Sequence, residues 1–335
     1  MAHRFRIPAS PRRAAARCVG LLVAVSLLAA CGSSQGAEPA SPDDPVKVKV
    51  GVVPAAPAAA IYLGEEKGFF TDAGVDLKTS PAQTGAAVVA SLLNGELDSG
   101  YISSVVAVQA MVKGVPIQFA AGGDSVPTDP SRRMYGGVVV REDSPVRAPE
   151  DLAGRTVAVN ALQGVDHLAA LAMVDKAGGD SAKVKFVEVP YPEQASALRA
   201  GRVDAVAGTD PFYSQALKQG GRSVGKLLEA LGPGALVSGY VVTKQYAAKH
   251  QEEVKRFAEG MSQSSSHAMD HDGQVRKAIQ AHTEIPADIV AGMNLPTFEP
   301  KLDTEAVQTV IDLMVTYKFI DEPIDAQQAV AGAGR

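Results

Sequence analysis

Two pairs of polar residues in this sequence could bind a small anion, because each pair follows an apolar, strand-like run and precedes a helical stretch. They are Ser103-Ser104 and Thr209-Asp210. Free N–H groups at a helix start, hydroxyls and the helix dipole together favour a bound oxyanion. Serine is also a favoured N-cap, so the sequence leaves capping and anion binding open for Ser103 and Ser104. For Asp210, which a proline follows, it indicates a cap and leaves ligand contact open.

The charge of Asp210 bears on the class of ligand. A carboxylate in a binding cleft repels an anion unless the ligand also carries an amine or another N–H donor. A weaker anion site is indicated at Thr84-Gly85, which also opens a helical stretch. An aromatic wall for a ring is expected from about two of the tyrosines and phenylalanines, since pockets combine apolar walls with few polar contacts.

Signals for catalysis and metal binding are weak. His267 and His271 stand four positions apart beside two aspartates, a spacing that suits zinc, although a solvated polar face is the stronger interpretation. The stretch 220–227, GGRSVGKL, nearly fits a phosphate-binding loop, but Leu227 replaces the required Ser or Thr. We interpret it as a turn that ends a helix. We therefore expect no enzymatic activity, no metal site and no cofactor.

Composition and charge describe an ordinary globular chain with an acidic body. Of 335 residues, 46% are hydrophobic and 21% are charged. The chain has 32 basic and 37 acidic side chains, and because positions 1–30 contain five arginines and no acid, the remainder is more acidic still. This balance argues against nonspecific nucleic-acid binding, which requires clustered lysine and arginine. The length of the body suggests two compact domains.

The N-terminus is typical of an export signal. Residues 1–30 combine the arginines with an apolar run over 19–30, which is too short to span a bilayer as a helix. The run closes on Leu28-Ala29-Ala30-Cys31, which resembles a bacterial lipobox, so we expect lipidation of Cys31 and anchoring at the extracytoplasmic face of the cell membrane. Residues 31–45 are rich in Gly, Ser, Pro and acids, which predicts an unfolded tether. The mature body then has no other thiol, because Cys18 leaves with the signal.

The body contains an internal repeat. Alternating valines predict a strand over 46–53, and apolar runs then alternate with helical stretches, which is typical of a parallel sheet covered by helices. The stretch 91–98, SLLNGELD, aligns with 197–204, ALRAGRVD. The same offset places the end of the opening strand on 155–159. Coincidence within common αβ patterns is the alternative.

Two similar apolar strands bracket the second copy, which suggests an inserted lobe. They are 137–140 and 239–242. We expect lobe one to comprise 46–141 and 239–335, and lobe two to comprise 142–238. The segments 138–141 and 239–243 would then serve as two hinge strands. The fold class is α/β, with a cleft between two lobes.

Taken together, these segments resemble the solute-binding lipoproteins of ABC importers, within the branch that binds nitrate, aliphatic sulfonates, taurine and the thiamine pyrimidine precursor. The resemblance covers about 46–240 and rests on the lipobox, the tether and five motifs. The motifs are the opening VGVVPAAPAAAIYLGEEKGFFTDAGVDLK, SLLNGELDSGYISS, DLAGRTVAV, KFVEVP and ALRAGRVDAVAGTDPF. It implies a periplasmic-binding-protein-like fold of type II, a small-molecule solute, an ABC permease as partner and no catalytic residue.

In open parallel sheets, ligands bind beyond the carboxyl ends of the strands, and the family's ligand contacts fall on the same loops. The resemblance therefore implies a set of ligand-binding residues on these loops and at the hinge. They are Ala55, Ala56, Thr84, Gly85, Ser103, Ser104, Asn160, Gln163, Asp210, Phe212 and Tyr240. Sulfonate and nitrate relatives commonly have Glu where this chain has Asp210, which leaves the identity of the solute open.

Two other functions remain open at this stage. A eukaryotic enzyme of thiamine-pyrimidine synthesis resembles this family but relies on a cysteine-rich segment and a reactive histidine, and the mature body has no cysteine besides Cys31. A ligand-sensing lobe for a surface receptor is the second alternative. The sequence does not distinguish Sec from twin-arginine export, and it identifies neither the permease nor the oligomeric state.

Overall fold

The computed structural model describes residues 45–129 and 131–332. The expected signal peptide, Cys31 and all but the last residue of the tether lie outside these residues. Within them the strands are β1 (Val46–Val52), β2 (Val75–Pro81), β3 (Ser99–Ser103), β4 (Ile117–Ser125), β5 (Gly136–Arg141), β6 (Thr156–Val159), β7 (Lys185–Glu188), β8 (Ala205–Thr209), β9 (Gly221–Gly225), β10 (Leu236–Thr243) and β11 (Thr297–Phe298).

The α-helices of the described residues surround these strands. They are α1 (Ala59–Lys67), α2 (Phe69–Asp72), α3 (Gly85–Leu93), α4 (Ser104–Val112), α5 (Val165–Lys176), α6 (Tyr191–Arg199), α7 (Phe212–Lys218), α8 (Lys244–Lys249), α9 (Gln251–Asp270), α10 (Asp272–His282), α11 (Ala287–Gly292), α12 (Thr304–Thr316) and α13 (Ala326–Ala329). None of these helices is long and apolar enough to cross a membrane.

The first sheet forms lobe one. Its six strands lie in the order β11-β4-β10-β3-β1-β2, with β1 parallel to β2 and β3, and β10 antiparallel to β3 and β4. The valine alternation explains β1, because Val48, Val50 and Val52 are buried while Lys47 and Lys49 face solvent. The predicted opening strand and the predicted parallel pairing in this lobe are confirmed.

The second sheet forms lobe two. Its five strands lie in the order β7-β6-β8-β5-β9, with β6 parallel to β7 and β8, and β5 antiparallel to β8 and β9. The carboxyl ends of β6, β7 and β8 therefore meet at one edge, as those of β1 and β3 do in the first sheet. The protein is thus α/β and two-lobed, as the sequence indicates.

The repeat is visible in the backbone. The offset that aligns 91–98 with 197–204 also places both ends of β3 on those of β8, and both ends of α3 on those of α6. The aligned aspartates play the same part, since Asp98 Oδ2 accepts from the Lys49 N–H at 2.8 Å and Asp204 Oδ2 accepts from the Thr156 N–H at 2.8 Å.

The aligned glycines of the repeat also match. Both adopt positive φ, +73° at Gly95 and +68° at Gly201. They follow the ends of α3 and α6 in a conformation that other residues rarely adopt. The same residue type therefore ends the same helix in each lobe for the same steric reason.

The chain crosses between the sheets earlier than the sequence predicts. The expected hinge strand 138–141 is part of β5, which pairs with β8 and β9 and lies wholly in lobe two. Val138 and Val140 are fully buried there, which suits a strand inside a sheet and not a connector. The crossings run through 126–135 and 226–235, and the expected second hinge strand is part of β10, a central strand of lobe one. The stretch 220–227, expected as a turn, contains strand β9.

The C-terminal helices complete lobe one and also contact lobe two. The amphipathic α9 packs against β4, α1 and α2 through one buried face. Helix α12 contacts α4 of lobe one and α5 of lobe two, and its buried Val307, Val310 and Ile311 belong to an apolar core that extends into both lobes. The apolar core therefore continues from one lobe to the other along α12.

Candidate functional site

On the lobe-one edge, the hydroxyls of the β3–α4 junction take different roles. Ser103 is the N-cap residue of α4, yet its Oγ caps no backbone N–H and is buried without a hydrogen-bond partner in the described residues. Ser104 Oγ donates to the Val237 carbonyl at 3.0 Å. Thr84 caps α3, with its Oγ1 accepting from the Ala87 N–H at 3.1 Å, and Gly85 opens that helix. Of these side chains, Ser103 keeps a free hydroxyl for a ligand.

Three other residues expected at the site differ in accessibility. Ala55 is partly exposed and Ala56 is fully buried in the turn between β1 and α1. Tyr240 is 1% exposed and lies in the middle of β10 opposite Tyr101, with its ring against those of Tyr101 and Phe257. It is therefore part of the lobe-one core and not part of a hinge.

Asp210 accepts a hydrogen bond from the first turn of a helix and also contacts the other lobe. Its Oδ1 accepts from the Ser214 N–H at 2.9 Å, in the first turn of α7, and its Oδ2 accepts from the Asn294 N–H at 3.0 Å. Asn294 precedes β11 of the first sheet and donates its side-chain amide to the Met134 carbonyl at 2.9 Å. Burial raises the pKa of Asp210. The N-cap residue of α7 is Pro211 and not the predicted Asp210, although the Asp210 side chain does pair with an N–H of the first turn. Contact of Asp210 with a solute stays a prediction.

The β6–α5 loop carries Asn160 and Gln163. Asn160 Oδ1 accepts from the Tyr191 N–H at 3.2 Å. Gln163 is exposed with φ +58°, and its N–H donates to His167 Nδ1 at 3.0 Å. Burial lowers the pKa of His167 to about 4, so this imidazole is neutral at physiological pH. The carbonyl of Gln163 accepts from Gln109 Nε2 at 3.2 Å, which joins this loop to helix α4 of lobe one.

An aromatic pair and an acid lie at the same edge of lobe two. Phe212 stacks on Tyr191 with ring centroids 4.8 Å apart and 2° between the planes. Tyr191 Oη donates to Asp166 Oδ2 at 2.5 Å, while Asp166 Oδ1 is buried without a partner in the described residues. Burial raises the pKa of Asp166 to about 6. Sequence reasoning anticipated Phe212 but missed Asp166, although this acid comes soon after the expected ligand residue Gln163.

A second buried acid lies where the chain leaves lobe one. Asp124, near the end of β4, is fully buried and accepts hydrogen bonds from the hydroxyls of Tyr101, Tyr135 and Ser238. Tyr135 lies at the far end of the first crossing and Ser238 lies just after the second. Burial raises the pKa of Asp124 to about 6, and the three hydroxyls oppose that rise. We name these four residues the crossover cluster. The sequence signal was an acid at the end of an otherwise apolar strand.

Three polar contacts join the two lobes in this structure. They are the Gln109–Gln163 and Asp210–Asn294 hydrogen bonds and an ion pair between Lys218 of α7 and Asp288 of α11 at 3.0 Å. The unpartnered atoms Ser103 Oγ and Asp166 Oδ1 are shielded from solvent in this arrangement.

The two other chemical motifs do not form sites. Within the described residues, no group of three or more His, Cys, Asp or Glu side chains is placed to hold a metal ion, and the rings of His267 and His271 stack at 3.8 Å. Residues 221–225, GRSVG, match the G-x-S-x-G pattern. The nucleophile of that pattern needs a strand-to-helix turn. Here Ser223 is an exposed residue within the edge strand β9.

Two characterised proteins of Escherichia coli (strain K12) are similar in sequence. One, named "Putative aliphatic sulfonates-binding protein", is 23% identical over 252 residues, covering 73% of this chain and 76% of that protein. The other, named "Taurine-binding periplasmic protein", is 26% identical over 191 residues, covering 57% of each chain.

Solved structures share the fold. The periplasmic aliphatic sulphonate binding protein SsuA from Escherichia coli matches with a TM-score of 0.71 at 20% identity, covering 87% of this chain and 99% of that one. A desulfurization enzyme, DSZB, also matches, with a TM-score of 0.61 at 18% identity, covering 85% of this chain and 96% of that one. The fold is therefore that of periplasmic binding proteins, and an enzyme shares it. A family model described as NMT1/THI5 like matches residues 56–274, well over half of the chain, and this protein therefore belongs to the NMT1/THI5 like family.

Proposed function

We propose that this protein is the extracytoplasmic solute-binding component of an ABC importer and captures a small polar solute between its lobes. The observation that carries the proposal is the presence, on the strand-end edges of both sheets, of buried polar atoms without partners in the described residues, Ser103 Oγ and Asp166 Oδ1. Buried polar groups are normally paired, so a ligand is the natural partner. The solute classes in question are sulfonates, taurine-like zwitterions, nitrate and an aminopyrimidine thiamine precursor.

The proposal includes a membrane anchor at Cys31. It rests on the lipobox Leu28-Ala29-Ala30-Cys31 and on the polar stretch behind it. Stable attachment needs more than one acyl chain, which a bacterial lipoprotein terminus supplies. We expect wild type to partition into the detergent phase and Cys31→Ala into the aqueous phase. Equal partitioning into the aqueous phase would contradict anchoring.

An enzymatic role is the competing function, because a desulfurization enzyme shares the fold. Thiol chemistry has little support here, since the chain has two cysteines, Cys18 and Cys31, and both precede the folded body. His167 contacts the β6–α5 loop, but its Nδ1 already accepts the Gln163 N–H and its ring packs against Phe186 and Phe319. A sensing role remains a further alternative, and permease and ATPase genes beside this one would favour import.

A thermal-shift screen tests solute capture on the full chain. The probes are taurine, ethanesulfonate, nitrate, an aminopyrimidine and a flavin. A ligand that binds the native state stabilises it by about 2.7 kcal/mol at a hundred times its Kd. Small-angle scattering with a hit should then show compaction, because a solute that touches both lobes favours the closed state. A saturating ligand that leaves the radius of gyration unchanged would contradict capture by lobe closure.

A further inference from the structure

Only one of the two carboxylate oxygens of Asp166 has a hydrogen-bond partner among the described residues. Asp166 is 3% exposed and is the second residue of α5. Its Oδ2 accepts from Tyr191 Oη at 2.5 Å, whereas its Oδ1 is buried and has no hydrogen-bond partner among the described residues. An unpaired buried acceptor is disfavoured, most of all on an ionised group. The unpaired oxygen can therefore accept a hydrogen bond from a group that is not part of the chain.

The repeat shows that the scaffold does not require an acid at this position. The offset that relates β3 to β8 also relates the first residues of α1 and α5, Ala59 and Val165, so Asp166 corresponds to Ala60. Ala60 is 1% exposed and packs in the lobe-one core. The corresponding helix of lobe one thus has a small apolar side chain at this position, and the carboxylate is an addition specific to lobe two.

The acid is held by rigid neighbours. Tyr191 donates to it, stacks on Phe212 at 4.8 Å, and is fixed through its backbone by Asn160 at 3.2 Å. These residues follow β6, β7 and β8, whose carboxyl ends form the lobe-two edge of the cleft. A carboxylate held in one orientation binds a donor without the entropy loss of ordering a flexible side chain.

The charge of Asp166 has no counter-charge among the residues that the structure describes. No Lys, Arg or His of the described residues lies within ion-pair distance of it. Burial raises its pKa to about 6, so the group is still mainly ionised at pH 7.5. A buried carboxylate in this state is complementary to a hydrogen-bond donor, most of all a charged one.

We propose that Asp166 Oδ1 accepts a hydrogen bond from a nitrogen of the captured solute, which is therefore a protonated amine, an amidine or an aminated ring. The inference rests on the proposed function of solute capture and specifies its ligand. A plain alkanesulfonate or nitrate lacks the donor and would meet an unbalanced negative charge.

Calorimetry with matched probe pairs tests the proposal on the full chain at pH 7.5. The pairs are taurine with ethanesulfonate, and 4-aminopyrimidine with pyrimidine. Asp166→Asn keeps an oxygen for Tyr191 but turns an N–H₂ group toward the ligand's donor. We expect this variant to lower the affinity for the aminated member of a pair at least tenfold and the affinity for the other member less than twofold. Equal loss for both members, or no loss, would overturn the assignment while leaving solute capture intact.

Asp175→Asn is the matched control, because Asp175 lies in the same helix and both its oxygens are paired with Ser181. We expect this variant to bind every probe as wild type does. If it weakens the aminated probes as much as Asp166→Asn does, the effect belongs to the charge of the helix and the proposal fails.

Thermal unfolding without solute provides a readout that does not depend on the probes. Asp166→Asn should raise Tm by about 2 °C or more at pH 7.5, because it removes a buried charge whose second oxygen is unpaired. Should no probe bind wild type, solute capture fails for these classes, and the shift in Tm then tests only whether the fold itself needs the Asp166 carboxylate. A rise supports an acceptor held for a ligand, and a fall shows that Asp166 is structural and overturns the proposal.

Discussion

The two repeats of this protein share a backbone and differ in the polar groups at their strand ends. Asp98 and Asp204 make the same hydrogen bond to the neighbouring strand in each lobe, 2.8 Å in both. Directly after β3 and β8, however, lobe one has Ser104, which donates to the Val237 carbonyl, and lobe two has Asp210, which accepts from the N–H groups of Ser214 and Asn294. The backbone of each repeat is therefore independent of the polar groups at its strand ends. Strand pairing determines the backbone, whereas the side chains at the strand ends can differ between the lobes.

The buried acids of the two lobes differ in the same way. Asp124 and Asp166 both have a pKa raised to about 6 by burial. Both oxygens of Asp124 accept hydroxyl hydrogen bonds, while only one oxygen of Asp166 does. A fully bonded acid stabilises the crossings of the chain, whereas a half-bonded acid is available to a ligand.

The largest expected effect is on the crossover cluster. Asp124→Ala leaves the hydroxyls of Tyr101, Tyr135 and Ser238 without their acceptor and opens a small cavity, so we expect a loss of about 3 kcal/mol in the free energy of unfolding. Urea unfolding measures it. Ser125→Ala, next to the cluster on β4, is the control with a smaller loss expected. If Asp124→Ala loses no more unfolding free energy than Ser125→Ala does, the structural role of Asp124 is contradicted.

Acidification should act with opposite signs on the two buried acids and on the buried histidine of lobe two. Asp124 and Asp166 bind protons more tightly in the folded state than in the unfolded state. Their contribution to the free energy of unfolding therefore grows as the pH falls through about 6. His167, with its pKa lowered to about 4, protonates first in the unfolded chain, so it destabilises as pH falls below about 6.5. When the pH is lowered from 7.5 to 5, the free energy of unfolding of His167→Gln should rise by about 2 kcal/mol. That of wild type should rise by about 1 kcal/mol less, a difference that allows for the partial exposure of the His167 ring.

Chemical denaturation of both proteins at the two pH values gives this difference. Parallel changes in wild type and His167→Gln would mean that His167 does not oppose the acids. A loss of stability in His167→Gln on acidification would contradict the raised pKa of the aspartates.

A smaller effect tests the equivalence of the repeats. Asp98→Ala and Asp204→Ala each remove one charge-assisted hydrogen bond to a strand N–H, so each should cost about 1.5 kcal/mol, with the two values close to each other. Thermal unfolding of the single variants is the measurement. Asp76→Ala, an acid on β2 that pairs with the exposed Lys78, is the control. Losses that differ by more than about 1 kcal/mol would show that the repeat is equivalent in backbone but not in energy.

The smallest effect is expected at the exposed ion pair between the lobes. Lys218→Ala removes the contact with Asp288, and because both side chains are largely in solvent we expect no measurable change in Tm. The same variant should leave solute affinity unchanged. A clear drop in affinity would instead identify this pair as part of the closing surface.

The parts that the sequence predicted are those with local causes. The valine alternation of β1, the helices that start at Gly85 and Ser104, and the repeat with its glycine helix ends all follow from periodicity and capping. The same local signals predicted an N-cap at Asp210, but α7 has Pro211 as its N-cap residue. They could not show that Ser103 leaves its hydroxyl free, because a cap and a free hydroxyl have the same sequence pattern.

What the sequence determined by itself is the α/β class and the presence of two similar strand-and-helix repeats, since periodicity and a recurring motif can be read along the chain. Tertiary structure alone decided where the chain crosses between sheets, because 138–141 pairs with β8 and β9, which follow only after β6, β7 and the helices between them. It also decided that Asp124 collects three hydroxyls, that Asp166 keeps one oxygen unpaired and that Tyr240 lies in the core. Burial and hydrogen bonding between distant segments set these properties, and no local pattern encodes the partners.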